Sequence, residues 1–195
     1  MDKAVETKKG KTVKKGGALS IQQMAIIGVM TAVTCVLSPF ALPIGPVPVS
    51  LATLAIYFSI YVIGMKKGLI SCLIYLLLGL VGVPVFSGFG SGPAKLFGPT
   101  GGYLIGYFFI VLIAGIFIDR YTDKIYLCLL GMVLGTAVLY LIGTAWLAYQ
   151  AHMTFYAALA AGVIPFIPGD IAKMLIAALA GPQIRKQLVR AGLYN

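Results

Sequence analysis

The stretch PFIPGDIAKMLIAAL, residues 165–179, decides how the rest of the chain is read. Pro168 and Gly169 fit a helix start, and an apolar run follows to about residue 184. Two ionisable side chains interrupt that run, Asp170 and Lys173, three residues apart. Asp170 falls in the first turn, where the helix dipole stabilises a carboxylate. Lys173 sits one turn deeper on nearly the same face. At membrane depth each such group costs roughly 2.5–3.5 kcal/mol on insertion scales, so neither persists without a partner or a ligand. Two readings follow: an internal ion pair that caps the helix, or the polar end of a binding cavity.

Outward from this stretch the composition stays apolar. The 195 residues are 60% hydrophobic and 10% charged, with a mean hydropathy of +0.99. Soluble domains average about 25% charged residues, so the solvent for most of this chain is lipid. Apolar runs at about 20–40, 50–65, 68–83, 102–118, 125–149 and 169–184 predict an all-α membrane protein, six transmembrane helices in a compact bundle. Several runs hold near 16 residues, short of the usual ~20, so helix ends must extend into neighbouring sequence or the bundle must be compact. Trp146 and Tyr149 close the fifth run, as an interfacial aromatic belt does.

The net charge of +10 is a matter of topology. Six of the fifteen Lys and Arg lie in residues 1–15. With the N-terminus inside, Lys66, Lys67, Arg120, Lys124, Arg185, Lys186 and Arg190 also fall inside. The outer loops 41–49, 84–101 and 150–166 carry Lys95 alone. This is the positive-inside pattern, with both termini cytoplasmic. Residues 1–17 read as a disordered basic cytoplasmic tail and 18–195 as one transmembrane domain. The basic start is no secretory signal, because a long span follows it without a small-residue cleavage site. Aromatic residues lie in the apolar runs, which leaves no basic–aromatic strip for nucleic acid.

Most catalytic chemistries are excluded. His152 is the single His, and Cys35, Cys72 and Cys128 lie on three separate spans without metal-ligand spacing. No metal or cofactor is expected. Gly10-Lys11-Thr12 matches only the end of a nucleotide-binding loop, with Val5 where its first Gly belongs. An intramembrane enzyme would have only Asp170 and Lys173 to work with. The chain can therefore bind a solute, but it carries no means of driving transport.

Two outer loops, ALPIGPVPV (41–49) and GVPVFSGFGSGPAKLFGPTGG (82–102), are apolar and rich in Gly and Pro. Non-helical backbone near membrane depth is tolerated only when buried in protein or lining a cavity. These loops are expected to fold over the outer half of the bundle. Gly98-Pro99-Thr100-Gly101-Gly102-Tyr103 leads into the fourth span and is either an anion-accepting nest or an ordinary turn. Lys95 is either a solvated loop cation or part of the site entrance. On the first span Gly28 and Ala32, with Ala25 on an adjacent face, permit close helix approach, within the chain or with another subunit.

The segments YLLLGLVGVPVFSGF (75–89), LFGPTGGYLIGY (96–107) and PFIPGDIAKMLIAAL (165–179) together resemble the biotin-specific substrate-binding component, BioY type, of energy-coupling-factor vitamin transporters. The resemblance covers roughly residues 20–190. It implies a six-helix bundle in the bacterial cell membrane with a vitamin site near the outer face. It also implies partners: biotin, a transmembrane coupling subunit and two cytoplasmic ATPases. The nearer alternatives are a solitary facilitator and a component for another small vitamin. Biotin suits the inventory. Asp170 would take the two ureido N–H donors and Lys173 would serve the ureido oxygen. Phe86, Phe89 and Tyr103 would give apolar walls, with Ser87 beside them. The carboxylate would rest on the N–H groups of Gly98, Thr100, Gly101 and Gly102 or near Lys95. Which end points where stays open. The chain departs from the family pattern at Ala52, where a Gln is expected, which leaves Ser50 as the nearest polar substitute. Val29 stands four after Ala25 in place of a small residue, so Gly28 and Ala32 are the nearest equivalent of the family's coupling face.

Overall fold

The computed structural model describes residues 19–43 and 47–192, and the expected disordered tail lies outside them. The chain forms α1 (Ile21–Leu37), a two-residue hairpin of β1 (Ala41–Leu42) and β2 (Val49–Ser50), α2 (Ala52–Leu80), the short α3 (Pro93–Leu96), α4 (Gly101–Tyr121), α5 (Ile125–Gln150), α6 (Phe155–Gly162) and α7 (Ile167–Arg190). Ser20 starts α1 with a capping box. Its hydroxyl accepts from the Gln23 N–H, and the Gln23 side chain accepts from the Ser20 N–H.

α2 is two spans. Gly64 has φ 75° and ψ 172°, a backbone that excludes other residues, and the chain reverses there. Gly68 then packs beside Ile60, and a Cβ on it would lie 3.9 Å from that side chain and 3.2 Å from Val111. Lys66 and Lys67 therefore sit in the first turn of the second arm rather than in a loop. Asp119 at the end of α4 accepts the Met65 N–H at 2.8 Å and so caps that arm. Among the described residues, four helical stretches are long and apolar enough to cross a membrane. Division of α2 at Gly64, together with the 17-residue α1, gives the six expected spans. α2 is central, packed on α1, α4 and α7, and α4 lies along α5.

The bundle turns apolar side chains outward and hydroxyls inward. Val29, Ile116, Val133, Leu141, Ile171 and Leu179 are exposed, whereas Thr31, Thr34, Ser71, Thr136 and Thr144 are buried. Buried hydroxyls need partners, and several of these find them across helices. Thr31 pairs with Ser71 at 2.9 Å, Ser38 with Tyr75 at 2.5 Å and Tyr57 with Thr136 at 2.6 Å. Each such bond contributes on the order of 0.6 kcal/mol in lipid.

Two expectations are corrected. The segment 150–166 is no simple loop, because it holds α6 and a 3₁₀ turn at Ile164–Phe166. The last helix does not stop near 184. It continues through Pro182 to Arg190, with Gly181 seated against the Tyr61 ring, where a Cβ would come within 2.2 Å. The continuation buries Arg185, expected as a loop cation, beside Asp119 at 3.0 Å, with the Ile118 carbonyl accepting a further bond.

Candidate functional site

The first residues of α2, α4 and α7 meet the last turns of α5 at one end of the bundle, opposite the Asp119–Arg185 pair. The β1–β2 hairpin pairs Ala41 with Ser50 and Leu42 with Val49 over this end. The Gly88 N–H donates to the Pro39 carbonyl and ties the 84–90 turn beside it. A cavity of about 50 Å³ lies underneath, reached by Val47, Val49, Ser87, Thr100, Tyr103 and Tyr107. Asp170 and Lys173 form its floor on α7.

Both charges are buried and paired. Lys173 Nζ donates to Asp170 Oδ1 at 2.9 Å and to the Ser50 carbonyl at 2.6 Å. Asp170 Oδ1 also accepts from Thr53 at 3.3 Å, and Oδ2 accepts from the Tyr140 hydroxyl at 2.5 Å. The carboxylate is thus gripped by donors from α2, α5 and its own helix. The alternatives of an ion pair and a cavity end merge: the pair is satisfied internally and also lines a hollow.

Of the residues singled out from sequence, Ser50, Ser87, Thr100, Tyr103, Asp170 and Lys173 come together around the cavity. The Ser50 hydroxyl is spent on the backbone, donating to the Ser38 carbonyl and accepting the Ala52 N–H. It is the Ser50 carbonyl that meets Lys173. Ala52 itself is completely buried at the start of α2.

Others stand elsewhere. Phe86 is not a cavity wall: its ring packs edge-on to Tyr75 in the core and fills the space over Gly79. Phe89 is 62% exposed and lies edge-on to Phe40 on the surface. Lys95 lies in the last turn of α3 with its stem across Gly90, outside the cavity lining. The 98–103 segment is a turn packed against α5, and among the amides expected to form a nest that of Gly101 is engaged within the turn. The Gly101, Tyr103 and Leu104 amides already donate to the Gly98 and Thr100 carbonyls. Gly98 accepts the Trp146 indole N–H at 2.9 Å, and a Cβ on Gly102 would meet Trp146 at 2.4 Å. These glycines let α4 approach α5. Ala25, Gly28 and Ala32 lie exposed on α1, and a Cβ on Gly28 would meet nothing within 4 Å.

Sequence reasoning missed Thr53, Tyr107, Tyr140, Leu139 and Phe166. A Tyr in the middle of a long apolar span was the available signal for Tyr140, because a phenol at that depth needs a hydrogen-bond partner.

The BioY family matches residues 8–190. This chain belongs to that family. It is 32% identical to the biotin transporter BioY of Thermotoga maritima over 85% of this chain and 97% of that protein. It is 36% identical to the probable biotin transporter BioY of Pyrococcus horikoshii over 86% and 98%. Among solved structures, the S-component for biotin from an ECF-type ABC transporter superposes with a TM-score of 0.79 at 29% identity, covering 87% of this chain and 95% of that one. The BioY-family chain is accordingly a membrane protein with the fold of such a component. The match takes in both the roofed cavity and the Asp119–Arg185 end.

Proposed function

We propose that this chain is the biotin-binding component of an energy-coupling-factor transporter and delivers biotin inward. A transmembrane coupling subunit and two cytoplasmic ATPases would supply the drive. The observation that carries this reading is the buried Asp170–Lys173 pair on the floor of a roofed cavity in a BioY-family chain. The ureido group of biotin offers two N–H donors and one oxygen acceptor, which match a carboxylate and an ammonium side by side. Tyr103, Leu104, Leu139 and Phe166 supply apolar walls for the bicyclic ring and chain, and Ser87 and Thr100 supply hydroxyls.

The proposed orientation puts the roofed end outside and both termini in the cytoplasm. It is supported by Lys66, Lys67, Arg120, Lys124, Arg185 and Lys186, which gather at the opposite end. Ala25, Gly28 and Ala32 are the proposed contact face for the coupling subunit, since small exposed side chains allow a second helix to approach.

Purified protein is expected to bind biotin in preference to riboflavin and thiamine. Liposomes carrying it alone should show no ATP-driven accumulation until the coupling subunit and ATPases are added. Accumulation by the chain alone, or preference for another vitamin, would sink the reading. Replacement of both Gly28 and Ala32 with Leu should spare biotin affinity and reduce complex formation. Collapse of affinity with the complex intact would place that face inside the bundle.

The cavity also predicts the kinetics of binding. Pockets for ligands of vitamin size hold on the order of 300–1,000 Å³, well above the 50 Å³ here. The β1–β2 roof, held by a two-residue pairing, must lift before biotin enters. Stopped-flow association rates should therefore level off at high biotin concentration as opening becomes limiting. A rate that rises linearly throughout would show that the roof does not limit entry.

A further inference from the structure

Asp170 stands in a wall between two hollows. One is the roofed cavity. The other is a groove of about 310 Å³ between α5 and α7, bounded by Val133, Thr136, Ala137, Ile167, Ile171 and Met174, with the Thr136 hydroxyl paired with Tyr57. Val133, Ile167 and Ile171 are also exposed on the outer surface, so the groove opens toward the lipid side. Lys173 and Thr53, the partners of Asp170 Oδ1, line the cavity but not the groove. Tyr140, the partner of Oδ2, lines both.

From this placement we propose that Tyr140 is a positioning residue that determines specificity: its hydroxyl holds the groove-side oxygen of Asp170 and turns the other toward the solute. Two physical arguments support the assignment. A carboxylate oxygen facing an apolar groove without a donor is strongly penalised, because hydrocarbon supplies none. A carboxylate offers about four acceptor positions, and a fixed plane decides which of them a ligand N–H can reach. Without the Tyr140 bond, rotation about the Cβ–Cγ bond of Asp170 is restrained only from one side. Its acceptors then no longer match the two ureido donors in direction. The phenol reaches Oδ2 from α5 while the partners of Oδ1 come from α2 and α7, so the two oxygens are held by different helices.

The inference rests on the biotin reading, and the test separates the two. Wild type and Tyr140→Phe are titrated with biotin and with a biotin methylated on one ureido nitrogen. Wild type should prefer biotin. The Phe variant, which keeps the ring, should lose about tenfold or more in biotin affinity, as expected for a hydrogen bond to a charged group, while its affinity for the methylated analogue changes little. The preference between the two ligands should therefore shrink. Replacement of Tyr140 with 3-fluorotyrosine, which retains the hydroxyl, should restore it. 4-Fluorophenylalanine at the same position is a second hydroxyl-free variant should the Phe form fail to assemble. An equal loss for both ligands, or no loss for either, would overturn the positioning role and leave Tyr140 as packing. Absence of biotin binding by wild type would overturn the underlying reading and this inference with it.

Discussion

Lys173→Met is expected to weaken biotin binding by about 100-fold, equivalent to roughly 2.7 kcal/mol. The ammonium makes two short bonds, at 2.9 Å to Asp170 and at 2.6 Å to the Ser50 carbonyl. Met preserves much of the volume and removes both bonds. Asp170 keeps Thr53 and Tyr140 but loses its counter-charge, and a buried charge stripped of its partner is strongly unfavourable. The ureido oxygen loses its donor in the same step. Asp170→Asn keeps the shape and replaces one acceptor oxygen with an NH₂ group, so either Tyr140 or the Lys173–Thr53 side faces a donor. A loss of about 10- to 100-fold is expected for it. Lys95→Ala should cost less, since Lys95 lies outside the cavity lining. Titration calorimetry on monodisperse, thermally intact protein decides the matter. A folded Asp170→Asn variant with unchanged affinity would reduce the pair to a structural ion pair and move the site to the 84–103 segment.

The second large effect lies at the other end of the bundle and concerns stability. Asp119→Ala is expected to destabilise the protein by about 1.5–3 kcal/mol while leaving biotin affinity nearly unchanged. One oxygen of Asp119 caps the second arm of α2 through Met65, and the other pairs with Arg185 at 3.0 Å. A single carboxylate thus joins α2, α4 and α7 where the chain reverses. Its side chain is 35% exposed, so water offsets part of the loss. The nearby Lys186–Asp123 pair, at 3.4 Å and largely in solvent, should contribute little by comparison. Thermal unfolding in detergent of Asp119→Ala, Arg185→Met and the double variant would give the coupling between them. An Asp119→Ala protein as stable as wild type would show that the reversal is held by packing alone.

Much of the architecture was legible because the signals were strong. Apolar runs broken by Lys66-Lys67, Asp119-Arg120 and Asp123-Lys124 located the six spans, and Gly- and Pro-rich loops with Lys95 as their single charge announced a roof. The Asp170–Lys173 pair stood out because charge at membrane depth is costly. What stayed hidden depended on contacts between distant segments. The hydroxyls of Thr53 and Tyr140 meet Asp170 from 117 and 30 residues away, and ordinary polar residues in apolar runs do not reveal which of them face inward. Phe86 misled because an aromatic beside a Gly-rich loop fits a cavity wall as well as it fits the space over Gly79. Arg185 misled because its neighbours Lys186 and Arg190 look like a solvated end, whereas a helix that persists through Pro182 carries it inward to Asp119.

The ion pairs at the two ends of the bundle also bear on its electrical character. Asp170–Lys173 and Asp119–Arg185 each sum to zero, so a transmembrane voltage exerts torque on them as dipoles but no net force. A reorientation of the unloaded bundle therefore moves no net charge at either pair. A bound monoanion changes this, because its charge has no counter-ion left over in a site whose lysine is already balanced. Carrying it against a negative interior requires roughly 2.3 kcal/mol per 100 mV.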